Sequence, residues 1–182
     1  AEMIKTANLS SGFVWLADSF HVKGGLFTAF TFFAVCVIAT ATGSSLGTMF
    51  TCFPIFYPAG ILLGSSAPVL AGAIVGGAIF GDNLAPISDT TIISAGTQEY
   101  TKKPGTADVG GCVATRLKYS LTAGSISFVL FWVFGGGGTG GNGGEKLLAE
   151  NMDPSTLIML IPVVVMLAVA VKSRNIYKAI TV

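Results

Sequence analysis

From Gly24 to Gly81 the chain runs for 58 residues without one side chain that is charged at neutral pH. A soluble domain carries about 25% charged residues, so no water-facing surface can be drawn over this run. A membrane-spanning helix needs about 20 apolar residues, and the run therefore holds two or three membrane segments. Over the 182 residues, 52% are hydrophobic and 10% charged, with a formal net charge of +1. That balance leaves no basic surface for nucleic acid. The chain reads as an all-α membrane protein whose transmembrane helices include broken or re-entrant segments, because only helices or closed barrels satisfy the backbone in lipid.

The segments are bounded by glycines, prolines and charges. Residues 1–23 are mixed, with Lys5, Asp18, His21 and Lys23 among apolar positions. They suit an interfacial helix or the end of a preceding span, and His21 reads as an interface residue. A first span is expected over 26–49 and a second, interrupted by Pro54 and Pro58, over 50–64. Ser65, Ser66 and Pro68 then signal a helix start by hydroxyl cap and first-turn proline. The helix after them, 69–82, reads as too short to span and ends at an acid. A further short piece, 90–98, leads into a polar loop with Lys102, Lys103 and Pro104.

Leu117–Phe134 reads as another span, flanked by Tyr119 and Trp132 as interface anchors. Residues 135–154 form a flexible glycine-rich loop without the ending of a phosphate loop. A last span is expected over 155–171, stopped by Lys172, Arg174 and Lys178. Basic residues favour the cytoplasmic side. Lys102, Lys103, Arg116 and Lys118 put the 99–118 loop there, whereas Lys146 against Glu145, Glu150 and Asp153 puts the 135–154 loop outside. The number of crossings between Lys23 and Lys102 stays open at this level. Cys36, Cys52 and Cys112 are too scattered for a disulfide framework or a zinc site, and read as small apolar packing residues. Residues 1–182 form one transmembrane domain, expected to be a piece of a longer polypeptide or of a multi-part assembly.

Within this apolar chain, Asp82 and Asp89 are the only charges from Gly24 to Gln98. An acid at bilayer depth costs at least about 2.5–3.5 kcal/mol and usually faces a watery cavity that handles ions or protons. Pro86 lies between the two acids, removing a donor and pushing Ala85 toward an extended conformation. A broken helix is expected there, and such breaks are tolerated at depth where they line a cavity. The end near Gly81 offers free carbonyls to a cation, and the start near Thr90 offers free amides that Ser88 or Asp89 can cap. Capping is also the ordinary explanation of Asp89. Asp82 sits at a helix end, where an acid is unfavourable. Asn83, Ser88, Thr90 and Thr91 add neutral oxygens of the kind a hard monovalent cation takes beside a carboxylate.

A second cluster, residues 40–48, brings together Thr40, Thr42, Ser44, Ser45 and Thr48, with Gly43 and Gly47 in G-x-x-x-G spacing. Close helix packing alone explains such glycines, and Gly72/Gly76 and Gly77/Gly81 repeat the spacing on the helix that bears the acid. Five hydroxyls exceed what packing needs. The expected ion site therefore comprises Asp82, Asp89, Asn83, Ser88, Thr90, Thr91, Thr42, Ser44, Ser45 and Thr48, around helix breaks at Pro86, Gly43, Gly47 and Gly81.

TGSSLGTM (42–49) followed by AGAIVGGAIFGDNLAPISDTTIISA (71–95) closely resembles the NhaC-type sodium/proton antiporters, which carry TG[ST]SWGT and GD-x-L-[SA]-P-[IL]-SDTT elements. The resemblance covers roughly residues 26–134. Leu46 stands where the family commonly has Trp and Ala85 where it commonly has Ser, departures that bear on selectivity more than on class. The resemblance implies about one half of an inverted-repeat transporter in a bacterial or archaeal cytoplasmic membrane, exchanging Na+ for H+. The alternative within the class is a Na+- or H+-coupled antiporter of organic acids or amino acids, of the malate/lactate type. It further implies no cofactor or resident metal, Na+ and H+ being cargo. Expected partners are membrane lipid, the remaining half of the transporter and a second copy in a homodimer, and no nucleic acid.

Two rivals come from other classes. An intramembrane aspartyl protease also needs two acids, but its G-x-G-D element would need glycine at Ile79, and its acids lie on separate helices. A non-transporting membrane subunit predicts that neither acid matters for any flux.

Overall fold

A computed structural model of the chain describes residues 24–101 and 104–137. Five helices follow in order: α1 (Gly25–Thr42), α2 (Ser45–Leu62), α3 (Ala67–Leu84), α4 (Asp89–Gly96) and α5 (Val109–Phe134). All but α4 are long and apolar enough to cross a membrane. Three such helices stand between Lys23 and Lys102, the count the sequence left open. The expectations for His21, for 138–154 and for the 155–171 span lie outside the described residues.

The first expected span is in fact two helices. α1 stops at Gly43, which takes the left-handed conformation (φ 64°) and returns its N–H to the Ala39 carbonyl at 2.8 Å. Only glycine adopts that conformation freely. One residue later Ser44 caps α2 by accepting a bond from the Gly47 N–H at 3.2 Å. The TGSS stretch is thus a tight turn between helices, where a long span to Met49 was expected.

Pro54 and Pro58, expected to interrupt the next segment, lie inside the continuous α2. Tertiary packing overrides them. Cys52, Ile55, Phe56 and Ala59 on this helix enter one core cluster with Phe27 and Val35 of α1 and Leu70, Ile74 and Ala78 of α3.

α3 is also longer than expected, 18 residues rather than the short 69–82 piece, or about 27 Å at 1.5 Å per residue. Its expected hydroxyl cap does not form. Instead the Ser65 hydroxyl donates to the Gly24 carbonyl at 3.0 Å. The Ser66 N–H donates to the Gly135 carbonyl at 2.8 Å, and the Gly24 N–H to Leu63 O at 2.9 Å. Those bonds tie the start of α1, the α2–α3 turn and the end of α5 into one closed end of the bundle. Gly135 is therefore pinned, although it opens the glycine-rich stretch.

α5 begins at Val109, eight residues before the expected Leu117, because Asp108 caps it by accepting from the Gly111 N–H at 2.7 Å. It runs antiparallel to α3 and then to α4: Gly76 lies against Phe131, Gly124 against Phe80, and Arg116 against Ser94. α3, the break and α4 together therefore act as one interrupted span alongside the unbroken α5.

Two glycines let α1 and α3 approach closely. A Cβ on Gly77 would lie 2.7 Å from the Phe32 carbonyl oxygen, and one on Gly81 would collide with the Cys36 carbonyl. The G-x-x-x-G pair Gly77/Gly81 does pack helices. Gly72 faces open space and Gly47 meets only Ser44, so the matching expectation fails for them. A cleft of about 1130 Å³ opens between α1 and α5 and reaches the break at Pro86 and Ile87.

Candidate ion-binding site

The interruption forms as the proline requires. Ala85 is extended (φ −72°, ψ 120°) and its N–H closes α3 on the Gly81 and Asp82 carbonyls at 3.1 Å each. Four residues later α4 starts with Asp89. The turn between α1 and α2 meets this break directly: the Gly43 backbone lies so close that a Cβ would be 2.8 Å from Ile87 and 3.2 Å from the Ser88 nitrogen. Two helix discontinuities, far apart in sequence, thus face each other at the end of the bundle opposite the closed one.

Asp82 sits in the last turn of α3 and is 7% exposed, and its Oδ1 has no hydrogen-bond partner among the described residues. It ends a stripe of four-residue steps, Leu70, Ile74, Ala78 and Asp82, along one face of α3. Gly60 of α2 packs on Leu70, and the two helices run antiparallel. The same steps along α2, Phe56, Cys52 and Thr48, bring Thr48 to the level of Asp82. Thr48 is buried, and its hydroxyl is 3.0 Å from that of Thr42 in a hydrogen bond. Thr42 also donates to Ala39 O at 3.3 Å.

Across the break, Ser88 and Thr91 are buried. The Ser88 hydroxyl does not cap α4 but pairs with the Thr90 hydroxyl at 2.8 Å. Thr91 Oγ1 has no partner. Two of the three buried polar side-chain atoms without a partner among the described residues, Asp82 Oδ1 and Thr91 Oγ1, therefore flank the break. Buried polar atoms are nearly always paired, and a pair of exceptions on either side of a helix break fits a place for a ligand that supplies what they lack.

Asp82, Thr42, Thr48, Ser88 and Thr91 are buried or half-buried at the same end of the bundle, beside the two facing discontinuities, with Gly43 and Pro86 shaping the backbone turns. The structure sets other expected members apart. Asp89 and Thr90 are exposed in the first turn of α4, where Asp89 favours the helix dipole. Asn83 is exposed and its amide donates to Ile79 O at 3.0 Å. Ser44 and Gly47 are exposed and engaged with each other in the α2 cap, and Ser45 is a half-buried first residue.

Two features escaped the sequence reading. Arg116, assigned to a loop, lies inside α5 and donates to the Ser94 hydroxyl at 2.6 Å. The signal was Asp108, a helix cap three residues before Gly111. Thr40 was one hydroxyl among five, but its role in the α1–α3 contact depends on a carbonyl 41 residues away.

Among the described residues no three His, Cys, Asp or Glu side chains gather for a metal. One carboxylate among neutral hydroxyls instead suits a monovalent cation or a proton.

Four membrane-length helices, one of them continued through a break beside a buried carboxylate, define a multi-pass α-helical membrane protein with a broken-helix site. The chain belongs to the Na+/H+ antiporter family, whose sequence model matches residues 3–136. It is 33% identical over 114 residues to the malate-2H(+)/Na(+)-lactate antiporter of Bacillus subtilis, covering 63% of this chain and 23% of that protein. It is 34% identical over 99 residues to the arginine/ornithine antiporter of Halobacterium salinarum, covering 54% and 19%. Against the Na(+)/H(+) antiporter NhaC of Alkalihalophilus pseudofirmus it is 37% identical over 70 residues, covering 38% and 15%. The chain spans less than a quarter of the length of these curated relatives. No solved structure matches it.

Proposed function

We propose that this chain is the ion-coupling part of a secondary transporter that exchanges Na+ for H+, with Asp82 as the group that both ions share. The observation that carries this reading is the unpartnered, buried Asp82 carboxylate beside a helix break. A proton neutralises the carboxylate, and so does Na+ held with the Thr42 and Thr48 hydroxyls. The two cannot occupy the group together. Alternating access then carries whichever is bound, and no covalent bond changes, so this is a carrier rather than an enzyme. Asp89, Asn83, Thr90, Ser44 and Ser45, exposed or half-buried at the same end, form the approach to the site. The working protein requires the remaining polypeptide of the transporter and its lipid, and no cofactor.

Competition gives the test. In vesicles holding the full-length transporter, the Na+ concentration for half-maximal exchange should rise as pH falls, while the rate at saturating Na+ changes less. A half-maximal concentration that is independent of pH removes the shared-site mechanism.

A second reading, a Na+- or H+-coupled antiporter of organic acids or amino acids, draws on the malate/lactate and arginine/ornithine relatives and on Arg116, a cation within α5. Counterflow of labelled malate, lactate, arginine or ornithine in the same vesicles, dependent on Na+, selects it.

A further inference from the structure

One side-chain bond from α1 reaches the backbone beside Asp82. The Thr40 hydroxyl is 2.8 Å from the Cys36 carbonyl of its own helix and 3.1 Å from the Gly81 carbonyl of α3. It has one proton to share between them, a three-centre bond of a kind common near helix ends. Gly81 is also where the two backbones come closest, since no Cβ fits there against Cys36 O. The Gly81 oxygen has two lone pairs. One takes the Ala85 N–H at 3.1 Å and the other takes Thr40. Both lone pairs of this carbonyl, next in the chain to Asp82 at a helix end otherwise rich in free acceptors, are therefore engaged, each in a shared hydrogen bond.

We infer that Thr40 is a positioning residue for cation selectivity. Its hydroxyl withdraws the Gly81 carbonyl from the ion and fixes Asp82 relative to the Thr42–Thr48 pair. The inference rests on the Asp82 reading given above. Selection among ions of one charge depends on the number of coordinating oxygens, their field strength and the size of the space they leave. With Thr40 in place, the ligand set is one carboxylate and hydroxyls held at fixed spacing. Without it, the Gly81 carbonyl gains a free lone pair and α3 loses its anchor on α1, giving a larger and looser set that discriminates less by size.

Thr40→Val keeps shape and loses the hydroxyl, whereas Thr40→Ser keeps the hydroxyl. Both are made in the full-length transporter and assayed in vesicles for proton movement driven by Li+, Na+ and K+. Thr40→Val should raise the half-saturating Na+ concentration about tenfold, the scale of one lost hydrogen bond, and bring the three cations' half-saturating concentrations closer together. The maximal rate should fall by less than about threefold. Thr40→Ser should restore both the concentration and the cation ranking. If Thr40→Val does not reach the membrane, Thr40→Ala, smaller and equally without a hydroxyl, takes its place.

An unchanged cation ranking in the hydroxyl-free variant overturns the inference. So does a lower maximal rate with unchanged half-saturation, or a Thr40→Ser variant as altered as Thr40→Val, because each describes packing alone. Asp82→Asn assayed in parallel separates the two possible failures. Inactive Asp82→Asn with normal Thr40→Val removes only the positioning role, and full exchange by Asp82→Asn removes the carboxylate reading beneath it.

Discussion

Asp82 is a poor residue for stability where it stands. A buried carboxylate oxygen without a hydrogen bond among the described residues carries a desolvation penalty that none of them offsets. An acid in the last turn of a helix also opposes the helix dipole. Asp82→Asn keeps the size and removes the charge, so it should leave the thermal midpoint of the purified full-length protein equal or higher while Na+/H+ exchange falls to background. A lower midpoint with exchange intact would reverse the assignment, making Asp82 structural. Asp89 behaves differently because it is exposed at a helix start. Asp89→Asn should lower exchange several-fold without abolishing it, measured as initial rates in vesicles. Loss as complete as for Asp82→Asn would place Asp89 within the carrier group as well.

At the scale of elements, proline decides one helix and not another, and the difference lies in packing. Pro86 breaks its helix because Ala85 has gone extended and the next helix starts three residues beyond the proline. Pro54 and Pro58 leave α2 whole because residues between and beside them fill the core. The sequence showed the break at Pro86, since the steric effect on the preceding residue is local. It also showed the acids and hydroxyls as clusters. It did not show that α2 survives its prolines, that α5 starts at Val109, or that the TGSS turn meets Ile87 and Ser88, because each depends on contacts between segments distant along the chain. Pro86→Ala removes the local cause of the break. It should raise the half-saturating Na+ concentration several-fold with membrane expression largely intact, because a straighter α3–α4 turns backbone groups back into the helix ladder. Unchanged Na+ dependence would mean that tertiary contacts such as Gly43 on Ile87 hold the break without the proline.

For the whole molecule, the helix order fixes which ends share a side. Gly24, the α2–α3 turn and Gly135 are bonded together at the closed end, and the acid-bearing break lies toward the other. Asp82 is 15 residues along α3 from Ala67, about 22 Å from the start of the helix, against a hydrocarbon core about 30 Å thick. The proposed ion site is therefore nearer the far face. α5, at 26 residues or about 39 Å, makes a single crossing between the 99–118 segment and residue 135. Arg116 and Lys118 lie in the part of α5 nearer that far face, and the four basic residues of 99–118 in the sequence favour a cytoplasmic side there. In the sequence Lys146, among three acids, follows α5, and Lys23 precedes Gly24. Four basic residues outweigh these two, so the closed end should face outward and the Asp82 break should lie toward the cytoplasm. Single cysteines introduced as Thr106→Cys and Thr139→Cys, in a cysteine-free background of the full-length protein, report this directly. In intact cells an impermeant maleimide should label the second and spare the first until the membrane is opened. Labelling of the first with protection of the second would invert the molecule and turn the ion site toward the outside.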